Sequence, residues 1–263
     1  MNRRNLIRFL SSSAMAFGLL ASVPAQADVL DSVKKSGTLR VAVPQDFPPF
    51  GSVGPDMKPQ GYDIDMAALI AKEMGVKLEL IPVSSTNRIP YITTGKADLV
   101  ISSLGKNPER EKVIDFTVAY APFFNGVFGP ANVQVSGAAD LAGKIIGVTR
   151  GSVEDLELTK IAPATATIKR FEDNNATISA YLSGQTPLVA TGNVVAAAIN
   201  ERSKGRELGS KFLIKNSPCY VGVNKGEAAM VAKVNEIIAK ARQDGSLNQI
   251  AMKWLRNPLP AEL

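Results

Sequence analysis

Residues 98–116 read DLVISSLGKNPEREKVIDF. Leu99-Val100-Ile101 is a short apolar run of the kind that forms a buried strand, and it ends in Ser102-Ser103-Leu104-Gly105, small and hydroxylated residues suited to the mouth of a cleft. Asn107-Pro108 then starts a helix, with Asn at the N-cap and Pro at the first helical position, which puts Arg110 in the first turn. A guanidinium, two hydroxyls and unpaired backbone N–H groups therefore gather at one strand-to-helix corner, and each attracts a carboxylate. The alternative for Arg110 is an exposed helix-start side chain paired with Glu109 or Glu111.

Outward from this corner the chain alternates strand and helix. Before it, Thr38–Val43 reads as a strand, Pro44–Pro59 as a Pro- and Gly-rich loop, Asp63 as the cap of a helix to Met74 with Gly75 as its stop, Lys77–Val83 as a strand and Arg88–Thr94 as a short helix ended by Gly95. After it the pattern repeats. Strands are expected at Lys144–Thr149, Thr167–Phe171, Leu188–Ala190 and Lys211–Ile214, and helices at Val153–Lys160, from the Asp173 cap to Ser183, and at Val194–Glu201. Alternation at this spacing implies parallel β-α-β units. Two extended crossings, Tyr120–Pro130 and Ser217–Asn224, join the two units, and helices at Glu227–Gln243 and Ser246–Leu255 follow. The expected fold is α/β, two α/β lobes connected by two strands with a cleft between them. Ser102-Ser103 and Arg150-Gly151-Ser152 lie at strand carboxyl ends facing that cleft. A single continuous sheet is the competing architecture.

Arg3, Arg4 and Arg8, the apolar stretch Phe9–Val23 and the small-x-small site Ala25-Gln26-Ala27 together read as a secretory signal peptide over residues 1–27. Arg3-Arg4 leaves the export route open between the general and the twin-arginine pathway. Its removal leaves 236 residues and lowers the net charge from +6 to +3, too little, and too scattered, to point to nucleic acid. Cys219 is the only cysteine and the chain has no histidine. That excludes an internal disulfide, a Ser-His-Asp triad, a Cys-His pair and thiolate or imidazole metal sites, so no cofactor or metal is expected.

Gly61-Tyr62-Asp63-Ile64-Asp65-Met66-Ala67, Asn87-Arg88-Ile89-Pro90, Ser102 to Arg110 and Asp115-Phe116-Thr117 with Tyr120, taken together, resemble the periplasmic polar-amino-acid-binding proteins of ABC transporters, bacterial solute-binding protein family 3. The resemblance runs from about Thr38 to the C-terminus. It implies a periplasmic-binding-protein type II fold, with one lobe over 28–126 and 220–263 and the other over 127–219, closing on ligand. It implies a small-molecule carboxylate ligand, a membrane permease as partner, a monomer, and a periplasmic location.

By matched position, Arg110 resembles the arginine that takes the ligand α-carboxylate. Ser102, Ser103, Gly105, Ser152 and Val153 resemble its hydroxyl or backbone partners; many relatives have Ser or Thr where Gly105 stands, so only its N–H can contribute. Phe47 matches an aromatic that covers the ligand, with Phe50 beside it, where core packing is the alternative for both rings. Ser85 and Arg88 resemble residues that meet an acidic side chain, which favours a polar or acidic amino acid; local capping or pairing is the alternative for Arg88. One departure stands out: the acid that relatives use for the ligand ammonium is here Gly192, with Asn193 beside it. Another acid, Glu154 or Asp155, could replace it, or the ligand lacks an ammonium. A dehydratase of prephenate-like acids on the same scaffold is the rival from another class, with Glu154, Asp155 and Glu172 as candidate acids.

Overall fold

The computed structural model describes residues 28–202 and 205–263, so the signal segment expected at 1–27 lies outside the described residues. Helix α1 (Val29–Ser36), which the pattern reading passed over, leads into strand β1 (Thr38–Pro44). The stretch expected as a loop holds β2 (Asp46–Phe47), β3 (Gly51–Val53) and β4 (Pro59–Gln60), paired as a small antiparallel sheet. Strands of two or three residues carry too little alternation to be legible in sequence. There follow α2 (Tyr62–Met74), β5 (Lys77–Val83), α3 (Arg88–Thr93), β6 (Leu99–Leu104), α4 (Pro108–Glu111) and β7 (Ile114–Ala121). The chain then crosses to β8 (Phe124–Gly129), β9 (Ile145–Thr149), α5 (Val153–Ile161), β10 (Thr167–Phe171), α6 (Asn174–Leu182), β11 (Leu188–Gly192), α7 (Asn193–Arg202) and β12 (Gly209–Asn216). It returns through β13 (Cys219–Asn224) to α8 (Ala228–Gln243) and α9 (Ser246–Leu255).

Two separate five-stranded sheets result, β5-β1-β6-β13-β7 and β10-β9-β11-β8-β12, which disposes of the single continuous sheet. Pairing is parallel where a helix intervenes, as for β1 with β5 and β6 and for β9 with β10 and β11. It is antiparallel where the crossing strands join, β13 on β6 and β7, and β8 on β11 and β12. The chain changes sheets at Pro122-Phe123 and at Ser217-Pro218, so Phe124–Gly126 pair within the second sheet and Cys219 within the first.

Each lobe closes over its own core. In the first, Leu39, Val41, Leu99 and Ile101 bury against Met66 and Ile70 of α2 and Val234 and Ile238 of α8. In the second, Val127, Ile146, Val148 and Leu188 pack on Leu158 of α5. Arg40 holds the start of β6 against β1, donating from its backbone N–H and guanidinium to the carboxylate of Asp98 at 2.6–3.2 Å.

Asp63 does not cap α2. Gly61 is the N-cap, with no side-chain bond, and Asp63 is fully buried in the first turn. Its carboxylate accepts from the Ser103 N–H at 2.7 Å and from the Tyr120 hydroxyl at 2.5 Å, while the Tyr62 hydroxyl donates to the Tyr120 carbonyl at 2.9 Å. Ser103 has φ 41°, in the left-handed region where a side chain is strained, and the Asp63 bond fixes its peptide there. Asp63→Ala strands the buried Tyr120 hydroxyl and the half-buried Ser103 N–H, so a loss of about 2–4 kcal/mol in urea unfolding is expected; a loss below ~1 kcal/mol would show that this bond does not set the end of β6.

Candidate functional site

The carboxyl ends of β6 and β9 face each other across a narrow cleft between the two lobes. Of the residues expected to meet a ligand, Phe47, Ser85, Arg88, Ser102, Ser103 and Gly105 line it from the first lobe and Ser152 and Val153 from the second. Phe50, Arg110 and Asn193 do not line it. Phe50 is fully buried in the first-lobe core, its ring stacked 6.1 Å from Phe47 and 5.4 Å edge-on to Phe123. Asn193 is spent on the backbone, accepting from the Phe124 N–H at 3.1 Å.

The expected cap at Asn107 forms: its side-chain oxygen accepts from the Arg110 N–H at 2.8 Å, with Pro108 in the first turn. Arg110 is buried, so the exposed alternative fails, and Glu111 pairs instead with Lys106 at 2.9 Å. Its guanidinium donates to the Gly105 carbonyl at 2.6 Å and, across the cleft, to the Gly151 carbonyl at 3.0 Å. Arg88 donates to the Ser102 carbonyl at 2.7 Å and to the Ser85 carbonyl at 3.3 Å, and it is the guanidinium that lines the cavity. Burial and the neighbouring Arg88 push the Arg110 guanidinium down to about 9.

In the opposite wall, the Ser152 hydroxyl caps α5 by accepting from the Asp155 N–H at 3.1 Å, and the Ser152 N–H donates to the Thr149 carbonyl. Asp155 accepts from the Gly151 N–H at 3.0 Å and from Arg170 at 2.7 Å, so it faces its own loop. Glu172 pairs with Arg150 on the surface. Glu154 is the acid of these three that lines the cleft, and it is buried. Burial pushes its carboxyl up, against the opposing pull of its own backbone N–H, the Ser152 hydroxyl and the two guanidiniums. Asp46 also lines the cleft, but its carboxylate accepts from the backbone N–H of Asn174 at 2.6 Å and from its side chain at 3.2 Å, another bond between the lobes.

The two positions that depart from the resemblance are both packed shut. A Cβ at Gly192 would overlap the Phe123 ring, and a Cβ at Gly105 would overlap the Ser217 hydroxyl and meet Val153 Cγ2 at 2.7 Å. Phe123, Asn125 and Ser217 line the cleft from the crossings, and the sequence reading missed all three as site residues. A polar residue inside the apolar run Phe123-Phe124-Asn125-Gly126-Val127 was the signal available for Asn125.

Two outcomes follow from this packing and charge. Gly192→Ala should destabilise by about 1–3 kcal/mol in denaturant unfolding, with most of the loss recovered when Phe123 is also changed to Leu; full additivity of the two changes would show that the ring does not fill the site. Glu154 and Asp63 both have folded values above their ordinary ones, Asp63 reaching about 7 under burial. The native state therefore holds these protons more tightly than the unfolded chain. Their contribution to stability is complete below about pH 4 and is lost as pH rises through the folded values. Melting of Glu154→Gln should show a shallower fall over that range, and an unaltered slope would put the titration elsewhere.

Residues 39–257 match the profile of the bacterial extracellular solute-binding proteins, family 3. The chain is 26% identical over 247 residues to the ABC transporter glutamine-binding protein GlnH of Bacillus subtilis, an alignment covering 92% of this chain and 89% of that protein. Among solved structures, a solute receptor for L-cysteine of Neisseria gonorrhoeae matches with TM-score 0.81 at 30% identity, over 87% of this chain and 94% of that one. The ancestral amino acid-binding protein AncCDT-1, a precursor of cyclohexadienyl dehydratase, matches with TM-score 0.78 at 28% identity, over 87% of this chain and all of that one. Both lobes and the cleft between them fall inside the matched residues, and the chain belongs to the bacterial extracellular solute-binding proteins, family 3.

Proposed function

We propose that this protein captures a small carboxylate-bearing ligand, a polar or acidic amino acid or a close relative, in the periplasm and delivers it to an ABC importer. The observation that supports this best is the pair of buried guanidiniums at the carboxyl end of β6, Arg88 lining a cleft whose opposite wall is the N-terminus of α5 and Arg110 behind it, bonded to the Gly105 and Gly151 carbonyls. Arg110 grips the second lobe through the Gly151 carbonyl. A ligand carboxylate accepting from the remaining N–H groups of the same guanidinium, with the Gly151 bond kept, would couple capture to the approach of the lobes. The 28–126 with 220–263 and 127–219 bodies, their boundaries a few residues past the sheet changes at Pro122-Phe123 and Ser217-Pro218, move as the two halves of this trap.

Glu154 takes the role that an acid at 192 cannot. It is the cleft-lining acid of the second lobe, and its carboxyl, raised by burial, ionises fully once a ligand ammonium sits beside it. Uptake of an amine-bearing ligand then releases a proton when the pH lies below Glu154's folded value.

A second reading, dehydration of a prephenate-like acid, draws on the same Glu154: burial makes its carboxyl hold a proton more tightly than an exposed glutamate does, which is the direction a general acid needs. The name of the AncCDT-1 relative links this scaffold to such chemistry.

Thermal shift of the purified chain against the amino acids and a set of organic acids should show a rise in melting temperature with at least one amino acid. Arg110→Ala should abolish that rise, and a shift that survives it would place the anchor elsewhere. Calorimetry in two buffers of different ionisation heat should show proton release on binding, lost in Glu154→Gln. Turnover of prephenate with no amino acid bound would favour the enzyme.

A further inference from the structure

Five buried side-chain polar atoms among the described residues have no protein partner, and three of them, Asn125 Oδ1, Asn125 Nδ2 and Ser217 Oγ, belong to residues that line the cleft. Folded proteins leave few such atoms unpaired, because each costs a lost hydrogen bond with water. Asn125 is fully buried and Ser217 nearly so. Neither can be read as a surface residue that water happens to satisfy.

Topology explains why they act together. Phe123 accepts from the Ser217 N–H at 2.9 Å, and Asn125 pairs with Gly192 across β8 and β11. Residues paired directly across an antiparallel ladder face the same side, and so do residues two apart along one strand. Phe123, Asn125 and Ser217 therefore form one wall, made from both crossings. The Phe123 ring covers Gly192 on that wall, which leaves the amide and the hydroxyl as its polar groups.

We propose that Asn125 and Ser217 are specificity-determining residues for the captured ligand, and that they select a neutral group that both donates and accepts hydrogen bonds, a carboxamide or a hydroxyl. The inference rests on the capture reading above and refines it. The donor and acceptor inventory carries the selection. A carboxylate can only accept, which leaves Asn125 Oδ1 unpaired; an ammonium can only donate, which leaves Asn125 Nδ2 unpaired. A carboxamide or hydroxyl satisfies both atoms and Ser217 Oγ. A buried site built for such a group rejects the analogue that cannot complete it, here by ~10-fold or more.

The test titrates wild type, Asn125→Leu and Ser217→Ala with L-glutamine, L-homoserine, L-glutamate and L-lysine, and records melting of each protein without ligand. Wild type is expected to bind a neutral member ~10-fold or more tightly than both charged ones, and Asn125→Leu, of nearly the same shape, to lose that preference. A charged member bound as tightly as the neutral ones, or a preference that survives Asn125→Leu, overturns the proposal. Failure of all four to bind wild type counts against the amino-acid reading, and the ligand-free melting still decides the role of Asn125. A side chain kept for a ligand has no structural partner to lose, so Asn125→Leu should melt at or above the wild-type temperature. A fall of several degrees would show that the amide serves the fold and would sink the inference.

Discussion

Three buried charged side chains grip the carboxyl end of β6, and the cleft depends on that grip. Arg88 donates to the carbonyl of Ser102, Asp63 accepts from the N–H of Ser103, and Arg110 donates to the carbonyl of Gly105. A strand that ends inside a protein leaves peptide groups that the sheet can no longer satisfy. Here charge-assisted bonds from α2, α3 and α4 take them over, and each of these is about twice as strong as a neutral bond. Of the three, Arg88 also lines the cleft, so one guanidinium both holds the strand end and faces the cavity. That arrangement also compels burial of the charges, which holds the Asp63 carboxyl up near 7 and the Arg110 guanidinium down near 9.

The opposite wall follows a different logic, in which side chains that are missing are replaced by neighbours. At Gly192 the space for a side chain is filled by Phe123, and at Gly105 by Ser217 and Val153. Both intruding groups from the crossings, Phe123 and Ser217, come from the segments that must bend if the lobes are to separate. The cleft is therefore read by the connection between the lobes as well as by the lobes themselves. Glu154 stands apart on the first turn of α5, where a carboxylate at a helix N-terminus is favoured by the backbone but opposed by burial.

Much of this was legible in the chain. The Asn107-Pro108 start, the Asp173 cap and the Gly75 stop each use local chemistry, and each forms as the pattern predicts. The strands of the two units were visible because β-branched runs alternate with helical spacing. Asp63 was misread because a carboxylate in the first turn of a helix is usually a cap, and nothing local announces a partner 40 residues away in Ser103. Arg110 was expected to look into the cleft, yet its donors are taken by carbonyls of Gly105 and Gly151, the second of which reaches it only because the lobes approach.

By itself the sequence determined two α/β units, the two crossings that join them, and a cluster of anion-attracting groups at a strand-to-helix corner, because periodicity, caps and charge are local properties of a chain. Tertiary structure alone decided which of those groups face the cleft. Arg88 lines it while Arg110 bridges behind it, Glu154 faces it while Asp155 turns to Arg170, and Phe123 closes the space at Gly192. Each of those outcomes depends on what another segment, distant in sequence, places within a few ångströms, and the desolvation that sets the charges depends on the same packing.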